Sequence, residues 1–202
     1  MSKHVFSMLC LGDSYTIGEG VPLHESFPYQ TIQLLRKEGH GFHAPEIVAQ
    51  SGWTTFELAE YLIHHSFEIH YDFVTLLIGA NNQYRSLLLK DYEEELEYLL
   101  KKAIGFCTAQ GKQVFVMTIP DWSITPFAKE KKREKEGSEI DRFNESVNRL
   151  VQKYGVQLID IQPTNKNVGD KAEMLAVDGL HPSGKMYKLW SALLFEAIEN
   201  HI

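Results

Sequence analysis

Apolar runs and amphipathic stretches alternate along the chain. Val5–Leu11 is an apolar run that predicts a strand, and Gly12-Asp13-Ser14 ends it abruptly. Ser26-Phe27-Pro28 predicts a helix start, with proline in the first turn where its missing N–H is not needed, and Gly39 and Gly41 stop that helix near Glu38. Glu46–Gln50 predicts a short second strand, broken by Ser51-Gly52. Thr54 and Glu57 have the spacing of a capping box, and Leu58, Ala59, Leu62 and Ile63 supply the apolar face behind it.

Phe73–Ile78 is a run without polar alternation, as in a central parallel strand buried on both faces. Asp91 and Glu94 form a second capping-box pattern, ahead of Tyr92, Leu96, Leu99, Leu100, Ala103 and Ile104 at helical spacing. Val114–Ile119 predicts a fourth strand closed by Pro120. Ser138 predicts the start of a helix with Phe143, Val147, Leu150, Val151 and Tyr154 inward, and Val156–Ile161 a fifth strand. Ser183 is the expected cap of a last helix whose stripe is Met186, Leu189, Trp190, Leu193, Leu194 and Ile198. The mixed-charge run Lys129–Glu136 reads as a solvated helix or a loose insertion.

Five strands joined by helical crossovers predict an α/β fold: a doubly wound parallel sheet with helices on both faces, three layers in all. Ligands bind such sheets outside the carboxyl ends of the strands. Gly12-Asp13-Ser14, Ser51-Gly52, Asn81-Asn82 and Asp178–His181 all fall at those ends, as do residues 120–137.

Composition narrows the picture. With 202 residues, 44% of them hydrophobic and 23% charged, a single domain over residues 1–202 with one sizeable core is expected. The net charge of −7 makes nucleic acid and anionic membranes poor partners. Cys10 and Cys107 read as buried free thiols, which suits a reducing compartment. The N-terminal Met1-Ser2-Lys3-His4 and the short run behind it read as a strand rather than a signal sequence, and no stretch approaches the roughly 20 apolar residues of a membrane helix. A cytoplasmic protein without stable membrane insertion is expected. His64, His65 and His70 are joined by no cysteine or acidic cluster, so no metal is expected there.

Serine becomes a nucleophile when a base takes its proton, and histidine serves best when an acceptor fixes its tautomer. Asp178 and His181 stand three apart on a glycine-containing loop, within reach of one another, and the free imidazole nitrogen can face Ser14. Alone, that stretch reads first as a turn followed by a helix start. Oxyanion donors are also needed. The Ser14 N–H, the Gly52 backbone and the Asn81 amide are candidates, each with an ordinary turn reading of its own. No Gly-x-Ser-x-Gly elbow, Ser-x-x-Lys or Gly-Lys-Ser/Thr phosphate loop is present.

Taken together, these stretches resemble the GDSL or SGNH hydrolases, whose marker residues Ser, Gly, Asn and His lie in four blocks. Gly12-Asp13-Ser14 matches the first block, Gly52 the second, Gly79-Ala80-Asn81-Asn82 the third and Asp178-Gly179-Leu180-His181-Pro182 the last. The resemblance implies a flavodoxin-like sheet and ester hydrolysis with neither metal nor cofactor. It assigns Ser14 as nucleophile, His181 as base, Asp178 as orienter, and the Ser14 and Gly52 N–H groups with Asn81 as the oxyanion hole. Tyr15 replaces the name-giving leucine and Asn82 the usual aspartate of the third block.

Family members cleave sugar acetates, short acyl esters, thioesters or lysophospholipids, so a small-molecule ester is the expected substrate. Trp122, Ile124 and Phe127 are expected to line or cover the cleft, with Tyr15, Asn82, Arg85 and Trp122 as possible substrate contacts. The default reading of Arg85 is one half of a surface ion pair. A lysophospholipase-like or short-chain acyl esterase is the first reading, a carbohydrate O-acetylesterase the second, and a non-catalytic ligand-binding domain on the same fold the third.

Overall fold

The computed structural model describes residues 4–67, 70–109 and 111–202. Met1–Lys3, part of the stretch read against a signal sequence, lie outside the described residues. The first predicted strand is two, β1 (Val5–Phe6) and β2 (Met8–Gly12). They part at Ser7, whose N–H and hydroxyl both donate to the Asp72 carboxylate, at 2.8 and 3.0 Å. A short helix α1 (Ser14–Ile17) follows, then α2 (Phe27–Lys37), β3 (Gly41–Phe42), β4 (Glu46–Ala49), α3 (Thr55–His64) and β5 (Phe73–Leu77). Next come α4 (Ala80–Tyr84), α5 (Leu89–Phe106), β6 (Val114–Met117), α6 (Pro126–Lys131) and α7 (Gly137–Tyr154). β7 (Gln157–Ile159), α8 (Gln162–Val168) and α9 (Gly184–Glu199) complete the chain.

The main sheet is parallel and five-stranded, in the order β4-β2-β5-β6-β7, and β1 pairs with β3 beside it. In chain order that is the flavodoxin-like sequence of strands. Every residue of β2 and β5 is buried, as expected of strands covered on both faces. α2 packs against α9 on one face, while α3, α5 and α7 pack in series on the other. The chain leaves β2 outward to β4 and returns across it to β5, so the direction of winding reverses between β2 and β5. The crevice beyond the ends of those two strands is the ligand site of such sheets.

Several sequence expectations are corrected. α5 starts at Leu89, with Leu88 at the cap, so Asp91 lies in the first turn and meets the helix dipole instead of capping it. α7 starts at Gly137 rather than Ser138, and α8 has no counterpart in the sequence reading. Ile63 and Leu189 sit at helical spacing but on the rim of their stripes, 62% and 39% exposed. The Thr54–Glu57 capping box is present, with the Glu57 carboxylate accepting the Thr54 N–H at 2.6 Å. Ser183 caps α9 through the Met186 N–H. Cys10 and Cys107 are buried and unbridged, and burial pushes the Cys10 thiol up to about 12, which makes it inert. Among the described residues no helix is long and apolar enough to cross a membrane.

Candidate active site

Ser14 opens α1 where β2 ends. Asp13 supplies the cap, its Oδ1 accepting the Tyr15 N–H at 3.0 Å, and Gly18 ends the helix with φ 78°. The tight turn sets Ser14 in the wall of the crevice, where the residue is buried. At the other end of the chain, Gly179 (φ 66°) lets the Asp178–His181 segment fold back on itself. Asp178 Oδ1 accepts the Leu180 and His181 N–H groups at 2.9 and 3.0 Å, and Oδ2 pairs with His181 Nδ1 at 2.6 Å. His181 Nε2 lies 3.0 Å from Ser14 Oγ. Partial burial alone would raise the Asp178 carboxyl; the bonds from the His181 ring and the two N–H groups outweigh it and hold it below the usual carboxylate range. Ionised, Asp178 accepts a hydrogen bond from Nδ1–H, so Nε2 faces the Ser14 hydroxyl as an acceptor.

The crevice is a cleft of about 340 Å³. Ser14, Gly52 and Asn81, from three different strand ends, all line it. Gly52 has φ 82°, a conformation that favours glycine, and Arg85 Nη2 donates to its carbonyl. Asn81 Nδ2 donates to the Trp53 carbonyl at 3.0 Å, which orients the amide and leaves its second N–H available. The remaining walls are largely apolar, built from Tyr84, Trp122, Phe127 and Leu180.

The four possible substrate contacts divide evenly. Tyr15 and Trp122 line the cleft, although both rings are mostly buried. Tyr15 packs 5.3 Å from the His181 ring, and Trp122 Nε1 donates to Gln83 Oε1 at 2.8 Å. Asn82 is corrected: it is 1% exposed and turned from the cleft, accepting the Thr55 N–H at 3.0 Å and donating to the Thr55 hydroxyl at 2.6 Å. Arg85 takes the other of its two readings, the surface ion pair. Its guanidinium is spent on Gly52 and on Glu57, 3.0 Å away, and is not part of the cleft wall.

The charged run Lys129–Glu136 starts inside α6 and is tied to its neighbours, in keeping with the helical reading rather than the loose one. Arg133 holds Glu136 and the Tyr84 carbonyl, and Gln83 Nε2 donates to Glu136 and Glu139 at 2.7 and 2.8 Å. Ile124 is absent from the cleft wall and points instead toward Gly169. Ser51 lines the cleft beside Gly52, as its strand end implies, and so do Glu19 and Tyr84, which the sequence patterns leave without a role. The signal for Glu19 was its place in Gly18-Glu19-Gly20, just after the serine turn.

The sequence model of one family, described as GDSL-like Lipase/Acylhydrolase, matches residues 10–189. The chain belongs to the GDSL-like lipase/acylhydrolase family. It is accordingly a serine hydrolase of the ester-cleaving kind. Solved structures similar to this GDSL-like chain include TesA, 18% identical over 97% of this chain and 99% of that one, with a TM-score of 0.75. A lipase/acylhydrolase from Enterococcus faecalis is 20% identical over 98% and 97% of the two chains, with a TM-score of 0.75. An acetylxylan esterase from Geobacillus stearothermophilus is 19% identical over 97% and 94%, with a TM-score of 0.71. At these identities the likeness shows a shared fold. No curated protein matches the chain by sequence.

Asp13, unlike Asp178, has a carboxylate oxygen, Oδ2, with no hydrogen-bond partner among the described residues. Burial pushes its carboxyl up to about 7, against the bonds that lower it, and Glu19 adds to the rise. The folded protein therefore keeps a proton that the unfolded chain gives up near pH 4, and this group's contribution to stability falls as pH rises from about 4 to 7. Asp13→Asn keeps the cap acceptor and cannot ionise. Its unfolding free energy at pH 8 should exceed that of the unsubstituted protein by on the order of 2–4 kcal/mol, with the gain vanishing near pH 4. Denaturant titrations at the two pH values check this, and a pH-independent difference refutes it.

Proposed function

We propose that this family member cleaves short-chain carboxylic esters through an acyl-enzyme on Ser14. The observation that carries the reading is the continuous chain from Asp178 through His181 to Ser14, with contacts of 2.6 and 3.0 Å. His181 Nε2 removes the hydroxyl proton as Ser14 Oγ attacks the carbonyl carbon, and Asp178 stabilises the imidazolium that forms. The oxyanion is met by the Ser14 and Gly52 N–H groups and by the Asn81 amide. Collapse breaks the bond to the alcohol oxygen, which takes the Nε2 proton as it leaves. Water then attacks the acyl-enzyme, giving its proton to Nε2; Ser14 recovers a proton as the carboxylic acid departs.

Size supports the short chain. At ~30 Å³ per non-hydrogen atom, about a water's share of liquid volume, a cleft of about 340 Å³ holds roughly a dozen such atoms. The apolar walls suit an acyl group. Stacking of a sugar on Trp122 finds less support, because the ring is buried between Tyr84, at 5.4 Å, and the Arg133 guanidinium, at 5.0 Å. Rates on p-nitrophenyl esters from acetate to dodecanoate should peak between acetate and hexanoate. A maximum at dodecanoate would favour a lysophospholipase-like activity. Faster release of acetate from acetylated sugars would favour the O-acetylesterase, and no hydrolysis at all a binding domain.

A further inference from the structure

Among the described residues lining the cleft, Glu19 alone carries a fixed charge. Gly18 and Gly20 on either side have φ 78° and 82°, and a Cβ at Gly20 would lie 2.7 Å from Ala176 Cβ and 4.0 Å from Asp178 Oδ2. The loop is thus pressed against the segment that carries the base. Its backbone is held as well, the Glu19 N–H donating to the Ser14 carbonyl at 3.0 Å. The Ser51 hydroxyl donates to Glu19 Oε2, which lies 3.9 Å from His181 Nε2. One imidazole is therefore flanked by Asp178 on Nδ1 and by Glu19 on the Nε2 side. Arg85, bound to the Gly52 carbonyl, is paired with Glu57 rather than with Glu19.

We propose that Glu19 sets the charge preference for the leaving alcohol, favouring cationic alcohols over neutral isosteres and disfavouring alcohols that bear phosphate, sulfonate or carboxylate. The inference rests on the ester reading above. In that reading the leaving oxygen must come to Nε2 to be protonated, so the alcohol's substituents pass beside the Glu19 carboxylate. That carboxylate is 41% exposed, so its interaction with a substrate charge a few ångströms away is screened. At ~6 Å and an effective dielectric of about 60, it amounts to roughly a fivefold change in kcat/KM per unit charge.

The test compares three acetate esters of similar size: acetylcholine, its neutral isostere 3,3-dimethylbutyl acetate, and 3-acetoxypropane-1-sulfonate. At low salt the wild-type protein should favour the cation over the neutral ester about fivefold more than Glu19→Gln does, and disfavour the anion by a similar additional factor. Raising the salt to about 0.5 M should bring the wild-type ratios toward those of Glu19→Gln. Glu19→Gln keeps an acceptor for Ser51 and leaves the ratios set by the esters' own reactivities; Glu19→Lys should shift them in the opposite direction. Ratios cancel any change in the shared chemistry. Ser14-dependent turnover of the neutral ester, with ratios that Glu19→Gln leaves unchanged or shifts toward the cation, overturns this inference alone. Absence of Ser14-dependent turnover of all three esters overturns the ester reading and this inference with it.

Discussion

Replacing Ser14 with alanine should lower kcat by about 10³-fold or more while leaving the fold intact. The expectation follows from what the hydroxyl touches. Ser14 Oγ pairs with His181 Nε2 at 3.0 Å and with nothing that holds α1, whose cap is the Asp13 carboxylate. Loss of the hydroxyl leaves Nε2 facing the cleft, where water can satisfy it, so unfolding should change little. A residual rate above the uncatalysed one should persist from oxyanion donors and substrate positioning. A fluorophosphonate should add one adduct, at Ser14, mapped by mass spectrometry of peptides. Ser51 is the instructive control, because its hydroxyl also lines the cleft but donates to the Glu19 carboxylate rather than to a histidine. An adduct on Ser51, or active protein that resists labelling, removes Ser14 from the nucleophile's role.

The sequence announced the fold where local signals and tertiary demand agree. Phe73–Ile78 could hardly be anything but a buried strand, and it is buried throughout in the centre of the sheet. Strand ends announced the site for the same reason: topology collects them at one edge, so Ser14, Gly52, Asn81 and His181 share a cleft. Spacing was a poorer guide to helix rims. Ile63 and Leu189 obey the period, but whether such a position is covered depends on how far the neighbouring element extends. The two misplaced substrate contacts have a clearer cause. Asn82 is adjacent to Asn81, yet the chain turns into α4 there, and its side chain meets the start of α3. Arg85 sits at the C-terminal cap of the same short helix and reaches Gly52 and Glu57, residues far off in sequence that no local pattern connects to it. Glu19 escaped notice because an exposed acid in a glycine loop looks like any other until the base is found 3.9 Å away.

Asn81→Ala should lower kcat by about 10²-fold, some 2.7 kcal/mol, with little change in KM. A neutral amide can bind the developing oxyanion without pairing with the Asp178 charge, and its hydrogen bond strengthens as negative charge builds on the ester oxygen. One Asn81 N–H is committed to the Trp53 carbonyl at 3.0 Å, so the amide is oriented before the substrate arrives. The donor needs no reorganisation during the reaction, which is why removing it should act on the transition state. Asn82→Ala is the matched control, one residue on. It strips the Thr55 N–H and hydroxyl of a buried partner, and should cost roughly 1–3 kcal/mol of stability. The folded enzyme should keep a kcat near that of the unsubstituted protein. Measuring kcat, KM and denaturant midpoint for both variants separates the two effects. If Asn82→Ala abolishes turnover without loss of stability and Asn81→Ala is nearly silent, the oxyanion donor is Asn82, reached by a rearrangement of the α3–α4 junction on substrate binding.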